Sequence, residues 1–410
     1  MRVSWKKNKS LKPQIILEKI DSLKVVKDEQ LSFSSFEYHD ALVALESMID
    51  FPSITEDLEK PSLVSAAISA TAKEAVCTKD AFLKNLNDQI KVALARRENT
   101  YYLLTSLSVR NLKLRKIQVQ NCTIKFYQSS FPKNFSGRRE IVNKHSSKSK
   151  PESDGYIKVV VELKAKSERI AANQALKALD ILRGILAIYC NDQAELIGNN
   201  WAPINKIRTG EFHSIHNESG VAYDQALWFE PNFVHSPCHV IQNHPIIVKN
   251  SKTILNRLTK FEKKYQTLLV DGLLRYVRAY DERDQNVAVL KAWGALESLA
   301  APNESNCDSV TSRCAFLYEE YEYHKQILEH LREYRNRNVH AGQESRKAKS
   351  YGFQIQRYFK QLFMFHIGRQ GNFQSIVDAN RFLDSPVNQE DLIAVKARID
   401  KVLKYRGYVA

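Results

Sequence analysis

The sequence predicts a mixed α+β fold, with helices and a small antiparallel sheet in the N-terminal region and an all-α helical bundle at the C-terminal end. Apolar residues recur every three or four positions through most of the first 100 residues and again beyond residue 250. Between these parts lie segments rich in β-branched and aromatic residues with partial alternation. A chain of 410 residues is also longer than one hydrophobic core usually holds. We therefore predict three regions, which are a mostly helical region at 1–100, an α+β region at 101–245 and an α-bundle at 246–410.

The first 165 residues contain three helical segments followed by three strand segments. The helices are predicted within 37–50, 61–76 and 79–99, and the strands within 100–109, 116–127 and 155–165. A long helix is predicted next, at 167–189. The Pro-rich passage that ends near residue 245 marks the boundary of the last region. Beyond this boundary we predict helices at 251–280, 285–300, 308–321, 323–339, 348–368 and 389–405.

A basic segment near 133–150 separates the second and third predicted strands. Its proline, glycine and serine content is typical of a loop. It contains Lys133, Arg138, Arg139, Lys144, Lys148 and Lys150. Because the whole chain has a formal net charge of +15, phosphate-bearing partners are favoured. Two interpretations stay open. The cations could contact the phosphates of an RNA backbone, or they could belong to a solvated loop. The candidates for RNA contact in this segment are Arg138, Arg139 and Lys144.

The remaining composition favours a reduced, cytoplasmic protein with no metal and no cofactor. The six cysteines are scattered, and no apolar segment follows the basic N-terminus as it would in a signal peptide. Charged residues interrupt the most apolar helical segment, so no membrane span and no membrane partner are expected. His235, Cys238 and His239 lie close together, but a zinc site needs a fourth ligand that the sequence does not place nearby.

The segment Arg332–Gly342, REYRNRNVHAG, contains three arginines, two asparagines and one histidine at the end of a predicted helix. Helical geometry places Asn336 and His340 on one face, whereas Arg335 lies about 140° around the helix from His340. Apolar residues of the same helix, including Val339, are expected to pack against the bundle. Another pair with the same spacing, Arg208 and His213, is expected to be a chance match within a loop because Gly210 lies between them.

These residue types suit the cleavage of RNA. The 2′-hydroxyl of RNA is an internal nucleophile, so an enzyme needs a base, an acid and cations that stabilise charge on phosphorus. Histidine exchanges protons near neutral pH, and a guanidinium binds phosphate oxygens in a planar geometry. The products would be a 2′,3′-cyclic phosphate and a 5′-hydroxyl. The alternative is structural, with the arginines paired to Glu329 or Glu333 and with His340 and Gly342 ending the helix.

Residues 246–410 resemble the HEPN superfamily, whose signature is an arginine followed by a polar residue, with a histidine five residues after the arginine. The matching residues are Arg335, Asn336 and His340. A looser resemblance to ApeA-like members of this superfamily lies in AVLKAWGALESLAAP, at Trp293, Leu296 and Glu297. The position of the tyrosine that is modified in some members is Gly342 here. The segment 246–410 is therefore identified as an HEPN-like bundle.

The resemblance implies a metal-independent endoribonuclease in which Arg335, Asn336 and His340 are catalytic. It also implies a homodimer that forms through the C-terminal bundle, because two motifs share one cleft. Arg332 and Arg337 are further candidates for RNA contact, and Glu297 is a candidate for supporting Arg335. An ApeA-like protein is expected to act in antiphage defence or a toxin system, restrained by an antitoxin or released by a phage-derived trigger. The alternative is a non-catalytic scaffold that binds RNA or a protein.

Overall fold

A computed structural model describes residues 2–27, 30–33, 35–56, 58–73, 77–145, 155–191, 202–302, 304 and 308–408. The predicted α+β class is confirmed. Two compact units are present: Met1–Tyr102 with Leu163–Gln174, and Leu103–Glu162 with Ala175–Ala410. Most of the segments 101–245 and 246–410 thus lie in the second unit. Among the described residues, no helix is both long enough and apolar enough to cross a membrane.

The first unit consists mainly of helices around one apolar core. Its elements are β1 Ser4–Trp5, α1 Pro13–Ser22, β2 Lys24–Lys27, β3 Gln30–Phe33, α2 Glu37–Ser47, β4 Ile49–Asp50, α3 Lys60–Thr71 and α4 Lys79–Ala95. The helical spacing predicted three of these helices. Phe82, Leu86 and Ile90 recur every four residues on α4, so they share one buried face. Trp5 stacks on Phe82, with their ring centroids 5.5 Å apart.

The second unit combines a six-stranded sheet with the C-terminal helices. The elements of the following part of the chain are β5 Asn99–Leu107, β6 Val109–Arg110, β7 Lys116–Val119, β8 Cys122–Tyr127, α5 Gly137–His145, β9 Ile157–Ala165, α6 Glu168–Cys190, β10 Phe212–His216, β11 Ala222–Phe229 and β12 His239–Val240. Three of them, β5, β9 and α6, run across the division between the units. The strand order of the sheet is β11-β10-β5-β9-β8-β7, with antiparallel pairing of β7 to β8, β8 to β9 and β10 to β11.

Two predictions for this region need correction. The segment 116–127 is not one strand but a hairpin, because Val119 pairs with Cys122 and Gln120 has a φ of 52°, which reverses the chain. The basic segment near 133–150 is not simply a loop. It begins with a 3-10 turn at Lys133–Phe135 and continues as the helix α5. Residues 146–154, which include Lys148 and Lys150, lie outside the described part of the chain.

The C-terminal helices are α7 His244–Leu258, α8 Lys263–Ala279, α9 Gln285–Ala300, α10 Ser309–Ala315, α11 Tyr321–Ala341, α12 Ala348–Gly368, α13 Ile376–Leu383 and α14 Gln389–Tyr405. The single helix expected at 251–280 is two helices. The first ends at Leu258, and Glu262 caps the second, since its Oε2 accepts hydrogen bonds from the backbone N–H groups of Lys264 and Tyr265. The short helix α13 was not predicted. Leu383 and Ile376 of α13 are buried, whereas α14 contains no buried residue.

A buried network of ion pairs joins α6 and α8. Arg183 is fully buried, and its Nη1 lies 2.7 Å from Asp180 Oδ1 while its Nη2 lies 2.7 Å from Asp281 Oδ2. Arg278 extends the network, with Nε 2.5 Å from Asp180 Oδ2 and Nη1 2.8 Å from Glu230 Oε1. Residues from both sides of position 245 therefore neutralise one another inside a single core. A fragment that begins at residue 246 would leave Asp281 without the charge of Arg183.

Because two histidines are buried, we expect the folded protein to lose stability in acid. Burial lowers the pKa of His366 to about 3 and that of His216 to about 4. The folded state thus stays neutral at these sites while the unfolded chain takes up protons below pH 6.5, so the free energy of unfolding falls as the pH drops. Each group contributes a slope of up to about 1.4 kcal/mol per pH unit in this window.

Urea unfolding between pH 7.5 and 5 tests this prediction. We expect a smaller slope for His366→Gln, since a glutamine amide can replace the hydrogen bond between Tyr265 Oη and His366 Nδ1 but does not titrate. The matched control is His330→Gln, because His330 is exposed and should leave the slope unchanged. If the slope of His366→Gln equals that of the wild type, burial of His366 does not cause the loss of stability in acid.

Candidate functional site

The motif residues lie at the C-terminal end of α11, which is anchored on one side. Leu328, Leu331 and Tyr334 are buried at the expected helical spacing. Tyr334 Oη donates a hydrogen bond to Asn286 Oδ1 of α9. Val339 does not pack against the bundle as expected, since 53% of its surface is exposed. The last turn of α11 therefore projects beyond the core, and this places the motif at the surface.

Arg335 lies beside Glu297, which was the candidate for supporting it. Its Nη2 is 3.4 Å from Glu297 Oε1, and its Nη1 donates to Asn336 Oδ1 at 3.1 Å. Glu297 is held in turn by Trp293, whose indole N–H donates to Oε1 at 2.7 Å. Trp293 itself is fully buried. The bundle core therefore fixes the carboxylate, and the carboxylate and Asn336 orient the guanidinium. The Arg335 side chain keeps about a third of its surface open to solvent.

His340 is exposed in the last turn of α11. Within the described part of the chain its ring has no hydrogen bond or ion pair. The helix ends just after it, because Gly342 adopts a φ of 62° and its N–H donates to the carbonyl oxygen of Asn338. The capping expected of Gly342 is therefore present. It accounts for the glycine but leaves the imidazole free for other contacts.

The two other motif-region arginines have different surroundings. Arg332 is partly buried, and its Nη1 lies 2.5 Å from Asp308 Oδ1 while its Nη2 lies 2.8 Å from Glu329 Oε2. Its charge is thus balanced within the protein, and this weakens the prediction that it contacts RNA. Arg337 is exposed on the outer face of α11 and stays a candidate for RNA contact. The pairing with Glu329 that was considered for Arg335 is made by Arg332 instead.

Arg138, predicted to contact RNA, is buried inside the second unit. It retains 3% exposure and donates to the carbonyl oxygens of Leu104 and Phe212 and to Ser214 Oγ. Its guanidinium also lies over the ring of Phe131. The prediction of RNA contact at Arg138 is therefore wrong, because its donors hold α5 against the sheet.

Arg139 and Lys144 of the same helix are exposed and remain available to an anionic partner. Helical geometry explains the contrast. Consecutive residues on α5 are rotated by about 100°, so Arg138 points to the sheet while Arg139 points away from it. Composition alone had grouped these residues as one basic loop.

Both residues of the second pair with this spacing, Arg208 and His213, are buried; Arg208 lies in the connecting segment before β10, as expected, whereas His213 lies on a strand. His213 lies on β10, where Thr105 Oγ1 is 2.7 Å from its Nδ1 and Glu230 Oε2 is 3.6 Å from its Nε2. Arg208 donates to the carbonyl oxygen of Asp281. Burial lowers the pKa of His213. Both side chains are closed to a polymeric substrate, so this pair contributes to the core and not to a surface site.

Two features of the site were not apparent from the sequence. Asn286 of α9 accepts hydrogen bonds from Tyr334 Oη and from the backbone N–H of Ser345, so it connects the motif helix to the segment that follows it. A cleft of about 550 Å³ lies beside this residue. Asn286 could not be identified from the sequence, because an asparagine two residues after the helix cap Asp284 forms no recognisable motif. In the described residues, no group of three or more histidine, cysteine, aspartate or glutamate side chains could hold a metal ion.

Comparisons with protein-family models, with curated proteins and with solved structures found no match to this chain. The function is therefore inferred from the chain's own residues and their geometry.

Proposed function

We propose that this protein is a metal-independent endoribonuclease of the HEPN type, with Arg335, Asn336 and His340 at its active site. One observation carries the proposal. A guanidinium oriented by Glu297 and Asn336 lies within one and a half turns of an exposed imidazole, which has no partner among the described residues, at the same helix end. A purely structural helix end has no need of a carboxylate that is itself fixed by a buried tryptophan.

The chain's own groups account for the steps of RNA cleavage. Arg335 binds the non-bridging oxygens of the scissile phosphate, where its fixed fork stabilises the charge that develops on phosphorus. A base takes the proton of the 2′-hydroxyl, whose oxygen attacks phosphorus, and an acid protonates the departing 5′-oxygen. The phosphorus–5′-oxygen bond breaks as the new bond forms. The products are a 2′,3′-cyclic phosphate and a 5′-hydroxyl.

One copy of the chain contributes only one motif histidine to this reaction. The base and the acid lie on opposite sides of phosphorus, so we propose that His340 of a second copy supplies the other group in a homodimer. A mixed dimer with one His340→Ala subunit should then lose most of its activity. Half of the wild-type rate would indicate that each chain works alone.

The substrate test uses RNA that carries a single 2′-deoxy substitution at the cut site. We expect this RNA to resist cleavage, since the internal nucleophile is missing, and we expect cleavage of ordinary RNA to persist in EDTA. The termini are identified by mass spectrometry, with a 2′,3′-cyclic phosphate as the expected product. Cleavage of the deoxy-substituted RNA at the full rate, or an absolute need for Mg²⁺, would refute the mechanism. Binding of RNA without any cleavage would favour the scaffold instead.

A ribonuclease with this simple site needs restraint in the cell. We propose that it acts in the cytoplasm in antiphage defence or as a toxin, under the control of an antitoxin or a phage-derived trigger. Support comes from the resemblance of residues 293–297 to ApeA-like proteins and from a separate first unit that does not contain the motif. Expression of the full chain and of its His340→Ala variant in bacteria, with and without phage, tests this setting. Equal survival of cells that express the full chain and cells that express the variant, both with and without phage, would contradict this setting.

A further inference from the structure

A cleft of about 550 Å³ lies between the first turn of α9 and the segment that connects α11 to α12. Its wall includes Arg283, Gln285 and Asn286 from one side and Ser345 and Arg346 from the other. Its volume is within the range of small-ligand sites, which extends from about 300 to 1,000 Å³. Ser345 follows His340 by five residues, and its N–H donates to Asn286 Oδ1. The cleft therefore adjoins the end of the motif helix.

Gln285 lines this cleft and carries a buried hydrogen-bond acceptor that has no partner among the described residues. The side chain retains 7% exposure, and its Nε2 donates to the carbonyl oxygens of Ala202 and Arg283, each at 3.2 Å. These two carbonyls determine the orientation of the amide, because only the nitrogen can donate to them. The Oε1 atom has no hydrogen-bond partner among the described residues. A buried acceptor without a donor is unfavourable, so a ligand that donates an N–H here would be bound preferentially.

The charges around the cleft limit the chemistry of the ligand. Asp284 is an exposed anion of the lining, and its Oδ1 is held at the start of α9 by the backbone N–H groups of Asn286 and Val287. Arg346 is exposed at the rim, as is Glu344. An N–H donor suits Gln285 Oε1, and an anionic group suits Arg346 and the other cations of the lining, Arg283 and Lys349. A nucleobase with its attached phosphate combines both properties.

We infer that this cleft binds one ribonucleotide unit, with a nucleobase amino group donating to Gln285 Oε1 and the phosphate beside Arg346. An amino group is favoured over the imino N–H of uracil, which lies between two carbonyl oxygens that would approach the acceptor. The unit can come from the RNA strand cut at Arg335 and His340 or from a free nucleotide. The RNA source depends on the proposed function, whereas the nucleotide site does not.

The test is calorimetric titration of the full chain carrying His340→Ala, which removes the proposed cleavage. The probes are 5′-AMP and purine riboside 5′-monophosphate, which lacks only the amino group. We expect 5′-AMP to bind roughly tenfold more tightly, and we expect Gln285→Leu to abolish that preference. Arg346→Ala should weaken both ligands roughly tenfold, because it removes a charge-assisted contact to phosphate. The matched control is Arg369→Ala, an exposed arginine at the end of α12 that should have no effect.

Equal affinity for the two probes, or binding of 5′-AMP that is insensitive to Arg346→Ala, would overturn the inference. The Arg346 variant decides the matter even if Gln285→Leu fails to fold, since Arg346 is exposed. If a single-stranded oligoadenylate competes with 5′-AMP, the bound unit belongs to an RNA strand. If it does not compete, the ligand is a free nucleotide. If the wild-type protein binds the nucleotide but cuts no RNA, the proposed ribonuclease activity is contradicted and the nucleotide site is supported. If it cuts RNA but binds no nucleotide, the nucleotide site is contradicted and the ribonuclease activity is supported.

Discussion

Replacement of His340 by alanine is expected to lower RNA cleavage by about 100- to 10,000-fold, the range that a general acid or base contributes. The same substitution should leave the stability of the fold unchanged. His340 is exposed, and its ring makes no hydrogen bond or ion pair with the rest of the described chain. The measurements are the single-turnover rate on labelled RNA and the thermal unfolding midpoint of the same preparation.

The matched control is His330→Ala. His330 is an exposed histidine on the same helix, but it lies ten positions before His340 and contacts Tyr351 through the ring edge. Its loss should change the cleavage rate little. Arg335→Ala should also remove activity, and Arg335→Lys should restore only part of it, because lysine lacks the planar fork. Cleavage by His340→Ala at the rate of the His330→Ala control would refute a catalytic role for this motif.

Replacement of Arg183 by methionine is expected to reduce the free energy of unfolding of the second unit by about 3–5 kcal/mol. The substitution keeps the length of the side chain but removes the guanidinium that contacts Asp180 and Asp281. Both carboxylates are buried, so they cannot regain full hydration in the folded state. A buried charge that loses its partner costs far more than an exposed one.

The control is Arg169→Met, which changes an arginine of the same helix. Arg169 is exposed and its Nη1 lies 3.4 Å from Glu59 Oε2, so its loss should cost no more than about 1 kcal/mol. Urea midpoints measure the stability of each variant, and hydrogen exchange over residues 263–281 reports on α8 and on Asp281, which follows it. Similar midpoints for Arg183→Met and Arg169→Met would show that the buried network contributes little.

Local patterns in the sequence were sufficient to predict most of the secondary structure. The helical spacing of Leu328, Leu331 and Tyr334 identified the buried face of α11, and the glycine at 342 identified its end. These features depend on neighbours within one or two turns, so they can be read from the sequence alone. The break between α7 and α8 was missed because the N-cap of α8 is Glu262, a residue that caps helices less often than serine or aspartate.

The sequence alone determined the α+β class, the position of the motif and the residue types available for chemistry. Only the tertiary structure decided which charges are available to a ligand. Arg138 and Arg139 are adjacent and chemically alike, but one is buried against the sheet while the other faces solvent. Glu297 and Arg335 are 38 positions apart, and their contact depends on how α9 packs beside α11. Such pairs follow from the packing of whole helices, a property of distant parts of the chain that no local pattern encodes.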